Sequence, residues 1–120
     1  MIETRVFDHT AIIALFRGNE EAFRLWRMAD LEKLTLIMPA VAVADANAVL
    51  GATADAWRPI LDPGQVIVTS LDESTAIDIG TAVGPLVIRH VIREASQIQG
   101  EIVTQVPWQY PENIPPLWTV

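Results

Sequence analysis

Short apolar runs alternate along this chain with longer segments in which apolar residues recur every three to four positions. The runs at 6–7, 35–38, 66–69 and 102–104 predict four β-strands, and the longer segments predict helices between them. Parallel strands need crossover connections, so alternating strands and helices indicate a parallel sheet covered on both faces. We therefore expect an α/β domain of three layers, with a parallel sheet of about four to five strands flanked by helices.

Five segments of the chain have the spacing of helices. Helical spacing and cap residues predict helices over 10–16, from Asn19 to about 30, over 41–57, over 73–82 and from Pro85 to Gly100. The buried face of the third is assigned to Val41, Asp45, Ala48 and Ala52, and that of the last to Val87, Val91, Ala95 and Ile98. Segment 58–65 is rich in turn formers and predicts a loop.

The last sixteen residues carry four prolines, which exclude a central strand or a regular helix. We expect this tail to pack down on the domain and to end in a short edge strand. Its aromatic residues, Trp108, Tyr110 and Trp118, are interpreted as a lid on the core or as a dimer contact.

Composition indicates one domain over 1–120 and excludes several classes of protein. Hydrophobic residues make up 51% of the chain and four are tryptophan, a surplus that predicts a homodimer or partner face. The chain has no cysteine, so disulfides, thiolate catalysis and Cys-ligated zinc are excluded. Neither a signal peptide nor a 20-residue apolar run is evident, and we expect a cytoplasmic protein without membrane segments.

The charge pattern disfavours nucleic acid as a ligand. The formal net charge is −7, and the eight basic residues are scattered without a basic run. Affinity for RNA or DNA comes mainly from cationic contacts to phosphate. RNA binding therefore remains open only through a bound metal ion or a local patch.

Two aspartates are the candidate site. Asp8 follows the first strand, at the edge of the sheet where α/β folds bind ligands, and it can also cap the next helix. Asp45 lies on a helix face otherwise made of Val and Ala, where an acid is costly unless it is paired or near a cleft. Together they are the candidate catalytic residues and the candidate ligands of one Mg²⁺ or Mn²⁺, cations that prefer oxygen ligands.

Four segments resemble the motifs of PIN domains, in the family's order. Segment 6–16, VFDHTAIIALF, resembles the opening motif. Segment 38–46 is similar to the second motif, in which an acidic residue, usually Glu, occupies the place of Asp45. Segments 88–95 and 101–105 resemble the last helix and the last strand. The short bacterial members, including toxins of VapC-type toxin–antitoxin pairs, are the most similar, and the resemblance implies metal-dependent ribonuclease activity and an antitoxin or other protein partner.

The chain departs from the family pattern at two of its acids. The family's third acid lies near Gly84–Leu86 and its fourth just after the last strand, and this chain has no Asp or Glu at either place. Only Asp8 and Asp45 carry over, and Thr10 matches a hydroxyl position of the opening motif and is the candidate substrate-binding residue beside Asp8. Two carboxylates alone hold a divalent metal weakly.

His90 is a second candidate substrate-binding residue, because it lies beside the buried stripe of the last helix and can act as a base or ligand. The alternative is a histidine satisfied by a backbone hydrogen bond. Asp72 is interpreted as a helix cap, and Asp78 and Glu94 as solvated positions.

Three hypotheses remain open at this point. The chain is a small PIN-like ribonuclease of the toxin class; or it is a PIN-like domain that has lost catalysis and works as a protein-interaction or regulatory module; or it shares only the fold and binds a small ligand in the same crevice.

Overall fold

The computed structural model describes residues 3–120 and contains five strands and six α-helices in that range. The strands are β1 (Glu3–Phe7), β2 (Leu34–Pro39), β3 (Val66–Thr69), β4 (Glu101–Thr104) and β5 (Leu117–Thr119). The helices are α1 (His9–Phe16), α2 (Glu20–Asp30), α3 (Ala40–Leu50), α4 (Ala54–Leu61), α5 (Glu73–Gly80) and α6 (Leu86–Ile98).

All five strands run parallel in one sheet, in the order β3-β2-β1-β4-β5. The central strand β1 pairs on one side with β2, where Val6 lies opposite Ile37, and on the other with β4, where Val6 lies opposite Ile102. Val6 and Phe7 are completely buried, as expected of a strand covered on both faces. The prediction of an α/β domain with a parallel sheet is confirmed, and the tail supplies the fifth strand at the edge.

Tertiary packing places the carboxyl ends of the strands together. Helix α6 packs on β1, β2 and β4, and α1 packs on α2 and α3. The backbone N–H of Asp8 donates to the carbonyl of Val103, which ties the end of β1 to the end of β4. Within residues 3–120 no helix combines the length and the apolarity needed to cross a bilayer.

The predicted helix over 41–57 is wrong, since the structure has two helices there. Gly51 adopts a left-handed backbone with φ of 59° and ends α3, and α4 starts after Thr53, whose side chain caps it. The predicted loop from residue 58 is wrong over its first four residues, because α4 continues to Leu61 with Pro59 inside it. The buried Trp57 holds this turn of helix on the core.

The predicted burial also fails at several positions. The buried positions of α3 are Ala42 and Ala46, whereas Asp45 and Ala48 are exposed. Helix α3 has polar side chains at only two of eleven positions, so its apolar periodicity does not define one face. In α6, Val87, Val91 and Ala95 are buried as predicted, but Ile98 in the last turn is 43% exposed.

Candidate functional site

Asp8 lies at the carboxyl end of β1 and has no exposed surface. Its backbone is extended, with φ of −80° and ψ of 179°, so the residue stands just outside α1 and its carboxylate turns back over the first helical turn. Atom Oδ1 accepts from the backbone N–H of Ala11 at 2.9 Å, the geometry of a helix N-cap. The cap that the sequence predicts is therefore present.

Two hydroxyl groups complete the hydrogen bonding of this carboxylate. Thr10 donates from Oγ1 to Asp8 Oδ1 at 2.6 Å, and Tyr110 donates from its phenol to Asp8 Oδ2 at 2.8 Å. Both carboxylate oxygens thus accept hydrogen bonds from the chain itself. The second donor comes from the C-terminal tail, 102 residues further along the sequence.

Threonine hydroxyls extend the arrangement to the end of β4. The backbone N–H of Gln105 donates to Thr10 Oγ1 at 2.9 Å, and that of Val106 donates to Thr104 Oγ1 at 2.9 Å. The two threonine hydroxyls lie 3.3 Å apart, and Thr104 is fully buried. We call Asp8, Thr10, Thr104 and Tyr110 the Asp8 network. It joins the ends of two strands, the start of a helix and the tail.

Tyr110 remains a hydrogen-bond donor in this setting. Burial raises the pKa of the Tyr110 phenol far above its ordinary value, and the negative charge of Asp8 raises that pKa further. A protonated phenol beside a carboxylate gives a charge-assisted hydrogen bond, a stronger class than a neutral one. The sequence placed Tyr110 among the aromatic residues of the tail, and no local pattern linked it to Asp8.

Asp45 lies in a different environment from Asp8. Its side chain is exposed on the second turn of α3, where it makes no hydrogen bond or ion pair with the residues that the structure describes. Across residues 3–120 no group of three or more His, Asp or Glu side chains is arranged to hold a metal ion. A single exposed acid and a buried one whose two oxygens both accept hydrogen bonds are a poor fit for Mg²⁺ or Mn²⁺, which need several oxygen ligands.

His90 is completely buried on α6 and is paired with an acid of the same helix. Its Nε2 lies 3.1 Å from Oε1 of Glu94, one helical turn later. Glu94 is itself buried, so its interpretation as a solvated position is wrong. Asp72 does cap α5, accepting from the backbone N–H of Thr75 at 2.8 Å, and Asp78 is exposed and pairs with Arg93.

Burial lowers the pKa of the His90 imidazole, and the nearby carboxylate of Glu94 opposes this shift only in part. The guanidinium of Arg93, which pairs with Glu94, lowers the same pKa. The net direction is downward, so the folded protein holds His90 neutral at pH 7. With no exposed surface, the ring reaches a ligand only if α6 moves.

We expect stability to fall as the pH falls below 6.5, the ordinary pKa of histidine, because the unfolded chain then binds a proton that folded His90 resists. Above pH 6.5 this contribution is fully present. The loss should approach, and not exceed, about 1.4 kcal/mol per pH unit. Urea unfolding between pH 8 and 5.5 measures it, and the carboxyl groups with lowered pKa, Glu21 and Asp72, titrate below this window.

The matched variant removes the titrating ring. His90→Gln should flatten the pH dependence of the free energy of unfolding, because the proton that folded His90 resists then has no site in either state. Equal pH dependence of the free energy of unfolding in the wild type and in His90→Gln would contradict a lowered pKa of His90 in the folded protein.

A groove between α3 and α4 was not predicted. Trp57 packs its ring on Phe16, with centroids 4.6 Å apart, and its Nε1–H donates to Asn47 Oδ1 at 2.9 Å. The Asn47 side chain also bonds the backbone of Ala52 on both sides, accepting from its N–H and donating to its carbonyl. These contacts fix the break between the helices and leave a groove of about 620 Å³, the α3–α4 groove, lined mainly by Ala40, Val43, Ala44, Asn47, Ala52, Ala54, Trp57, Arg58, Leu61 and Asp62.

Comparisons with known proteins give a relation at the level of the fold. No family model and no curated protein matches the sequence. The structure is similar to a chain in the crystal structure of VapBC2 from Rickettsia felis bound to a DNA fragment from their promoter. The TM-score is 0.58, with 13% sequence identity over 98% of both chains. Likeness at this identity shows the fold alone, an α/β architecture that this chain shares with a chain of that assembly.

Proposed function

We propose that this chain is a PIN-like domain that acts by binding another protein, as one member of a toxin–antitoxin type of pair, and that the Asp8 network is structural. The observation that carries the proposal is the state of the Asp8 carboxylate. Both of its oxygens are engaged by donors of the same chain, under a tyrosine that burial keeps protonated.

Nuclease chemistry would require this carboxylate to change partners. A metal ligand needs an oxygen lone pair facing a hydrated cation, so Asp8 would have to release Tyr110 and become accessible to water. Release would leave the phenol without its acceptor in a buried site, which costs free energy. The third and fourth acids of the PIN pattern, which would offset that cost by binding the metal, are missing from the sequence.

Two observations support a protein partner. The fold is similar to that of a chain crystallised within the VapBC2 assembly. The α3–α4 groove is open, mainly apolar, and of a volume suited to the apolar side chains of a bound segment. An amphipathic helix of the partner, with small apolar residues facing Val43 and Ala44, is the occupant that we propose.

The catalytic alternative is tested by metal binding and RNA cleavage. We expect calorimetry to detect no Mn²⁺ binding at micromolar strength. We also expect purified protein to cleave single-stranded and structured RNA no faster with Mn²⁺ than with EDTA. Asp8→Asn and Asp45→Ala should behave as the wild type does in both measurements, because neither residue is expected to hold a metal.

Metal binding and RNA cleavage that depend on the two aspartates would contradict the proposal. Micromolar Mn²⁺ binding that Asp45→Ala abolishes, together with RNA cleavage that Asp8→Asn abolishes, would restore the ribonuclease hypothesis and remove the proposal of a structural Asp8.

A further inference from the structure

A second pocket lies on another part of the molecule, where the C-terminal tail crosses α5 and α6. Its volume is about 450 Å³, within the range of small-molecule sites. The walls are mainly apolar. The polar groups are two arginines of α6, two acids and an asparagine, namely Arg89, Arg93, Asp78, Glu112 and Asn113. We call it the tail pocket.

The two arginines of the tail pocket differ in their pairing. Arg93 is neutralised, since its Nε lies 3.2 Å from Asp78 and its Nη1 lies 3.7 Å from Glu94. Arg89 is half-buried, and within residues 3–120 its guanidinium makes no ion pair. Its one hydrogen bond runs from Nη1 to the carbonyl of Ile79 at 3.1 Å, and its Nε is buried without an acceptor.

A partly buried arginine without an ion pair is unusual in a chain that carries nearly twice as many acidic as basic residues. Acidic residues number 15 against 8 basic ones, yet none lies within ion-pair distance of Arg89 in the described range. Arg17 also lacks an ion pair there, but it is exposed and solvated by water. Partly buried charges in proteins are normally paired, and a guanidinium presents donors in a planar fork that matches a carboxylate.

We propose that the tail pocket binds a small apolar monocarboxylate. The carboxylate pairs with Arg89, and the aliphatic chain packs on Ile79, Ile92 and Ile114. Arg89 is the arginine of the pocket that lacks a carboxylate partner among residues 3–120, since Glu112 lies beyond ion-pair distance, and it selects a negative charge. The apolar walls select the hydrocarbon chain. The pocket is separate from the α3–α4 groove, so this site stands independently of the proposed protein partner.

Hexanoate is the probe for this site, and its binding is followed by amide ¹H–¹⁵N spectra of the 120-residue chain at low salt. We expect saturable shifts at residues of the tail pocket, with half-saturation at about millimolar concentration for so small a ligand. Hexanamide, which has the same chain without the charge, should bind at least tenfold more weakly. Arg89→Gln should weaken hexanoate by a similar factor.

A second variant keeps the test decisive if Arg89→Gln fails to fold. Val83 is 95% exposed at the mouth of the pocket, so Val83→Asp leaves the fold intact and adds a negative charge that repels the ligand. Val49→Asp makes the same change on exposed α3 and should leave binding unaltered. Equal binding of hexanoate and hexanamide would overturn the proposal, as would the absence of shifts at 10 mM (about tenfold above the expected half-saturation).

Discussion

Asp8→Ala is expected to lower the free energy of unfolding by about 2–4 kcal/mol, the sum of a lost helix cap and of a buried phenol deprived of its acceptor. The cap contributes about 1 kcal/mol, and the unsatisfied buried donor, Tyr110, costs about 1–3 kcal/mol. Thr10 also loses Asp8 as its acceptor, but it is only partly buried and its hydroxyl still lies 3.3 Å from that of Thr104. Urea unfolding followed by circular dichroism measures the effect.

Matched variants separate the parts of this network. Tyr110→Phe removes one donor and leaves Oδ2 of Asp8 buried without a partner, so we expect a loss of about 1.5–3 kcal/mol. Asp45→Ala removes the exposed candidate acid and should change stability by less than about 0.5 kcal/mol. Asp8→Ala within 1 kcal/mol of the wild type (less than the lowest cost expected above) would contradict a structural role for the network.

The sign of this effect distinguishes the two functional hypotheses. Catalytic carboxylates are held at a cost in stability, so their removal commonly stabilises an enzyme. A structural carboxylate gives the opposite result. A large loss of stability in Asp8→Ala, combined with no effect of Asp8→Asn on RNA cleavage, would therefore show that Asp8 has a structural role.

The fold could be predicted because its strongest signals are local. The apolar runs that became β2 and β3 and the caps Asp8, Asn19 and Asp72 are visible within a few residues of sequence. The division between α3 and α4 could not be predicted with the same rules, because a lone glycine within a helical pattern is often tolerated. What decides it is the Asn47 side chain, which bonds the backbone of Ala52 across the break.

The residues of the candidate site were likewise predictable only where their sequence signals are local. The position of Asp8 at the end of a strand follows from sequence, but its partner Tyr110 does not, because the tail packs there only through tertiary contacts. Asp45 was assigned to a buried face by a periodicity that α3, composed almost wholly of Ala and Val, cannot define. The pair of His90 and Glu94 was accessible to sequence, since residues four apart share one face of a helix.

The second large effect is expected in the α3–α4 groove. Ala44 is exposed and lines the groove, so Ala44→Glu places a charged side chain where the partner's apolar segment would lie. Burying that carboxylate without a partner group should weaken the complex by about a hundredfold, or roughly 2.7 kcal/mol. The candidate partner to be tested is the product of a neighbouring open reading frame, purified and titrated by calorimetry.

The control uses the same change on the same helix. Ala48 is also exposed on α3 but does not line the groove, so Ala48→Glu should leave the affinity and the stability unchanged. Equal weakening by both variants would place the contact elsewhere on α3, and absence of any complex with the wild type would remove the toxin–antitoxin form of the proposal. A selective loss of affinity in Ala44→Glu would place the partner in the groove that Trp57 and Asn47 line, because Ala44 lines that groove and Ala48, one helical turn later, does not.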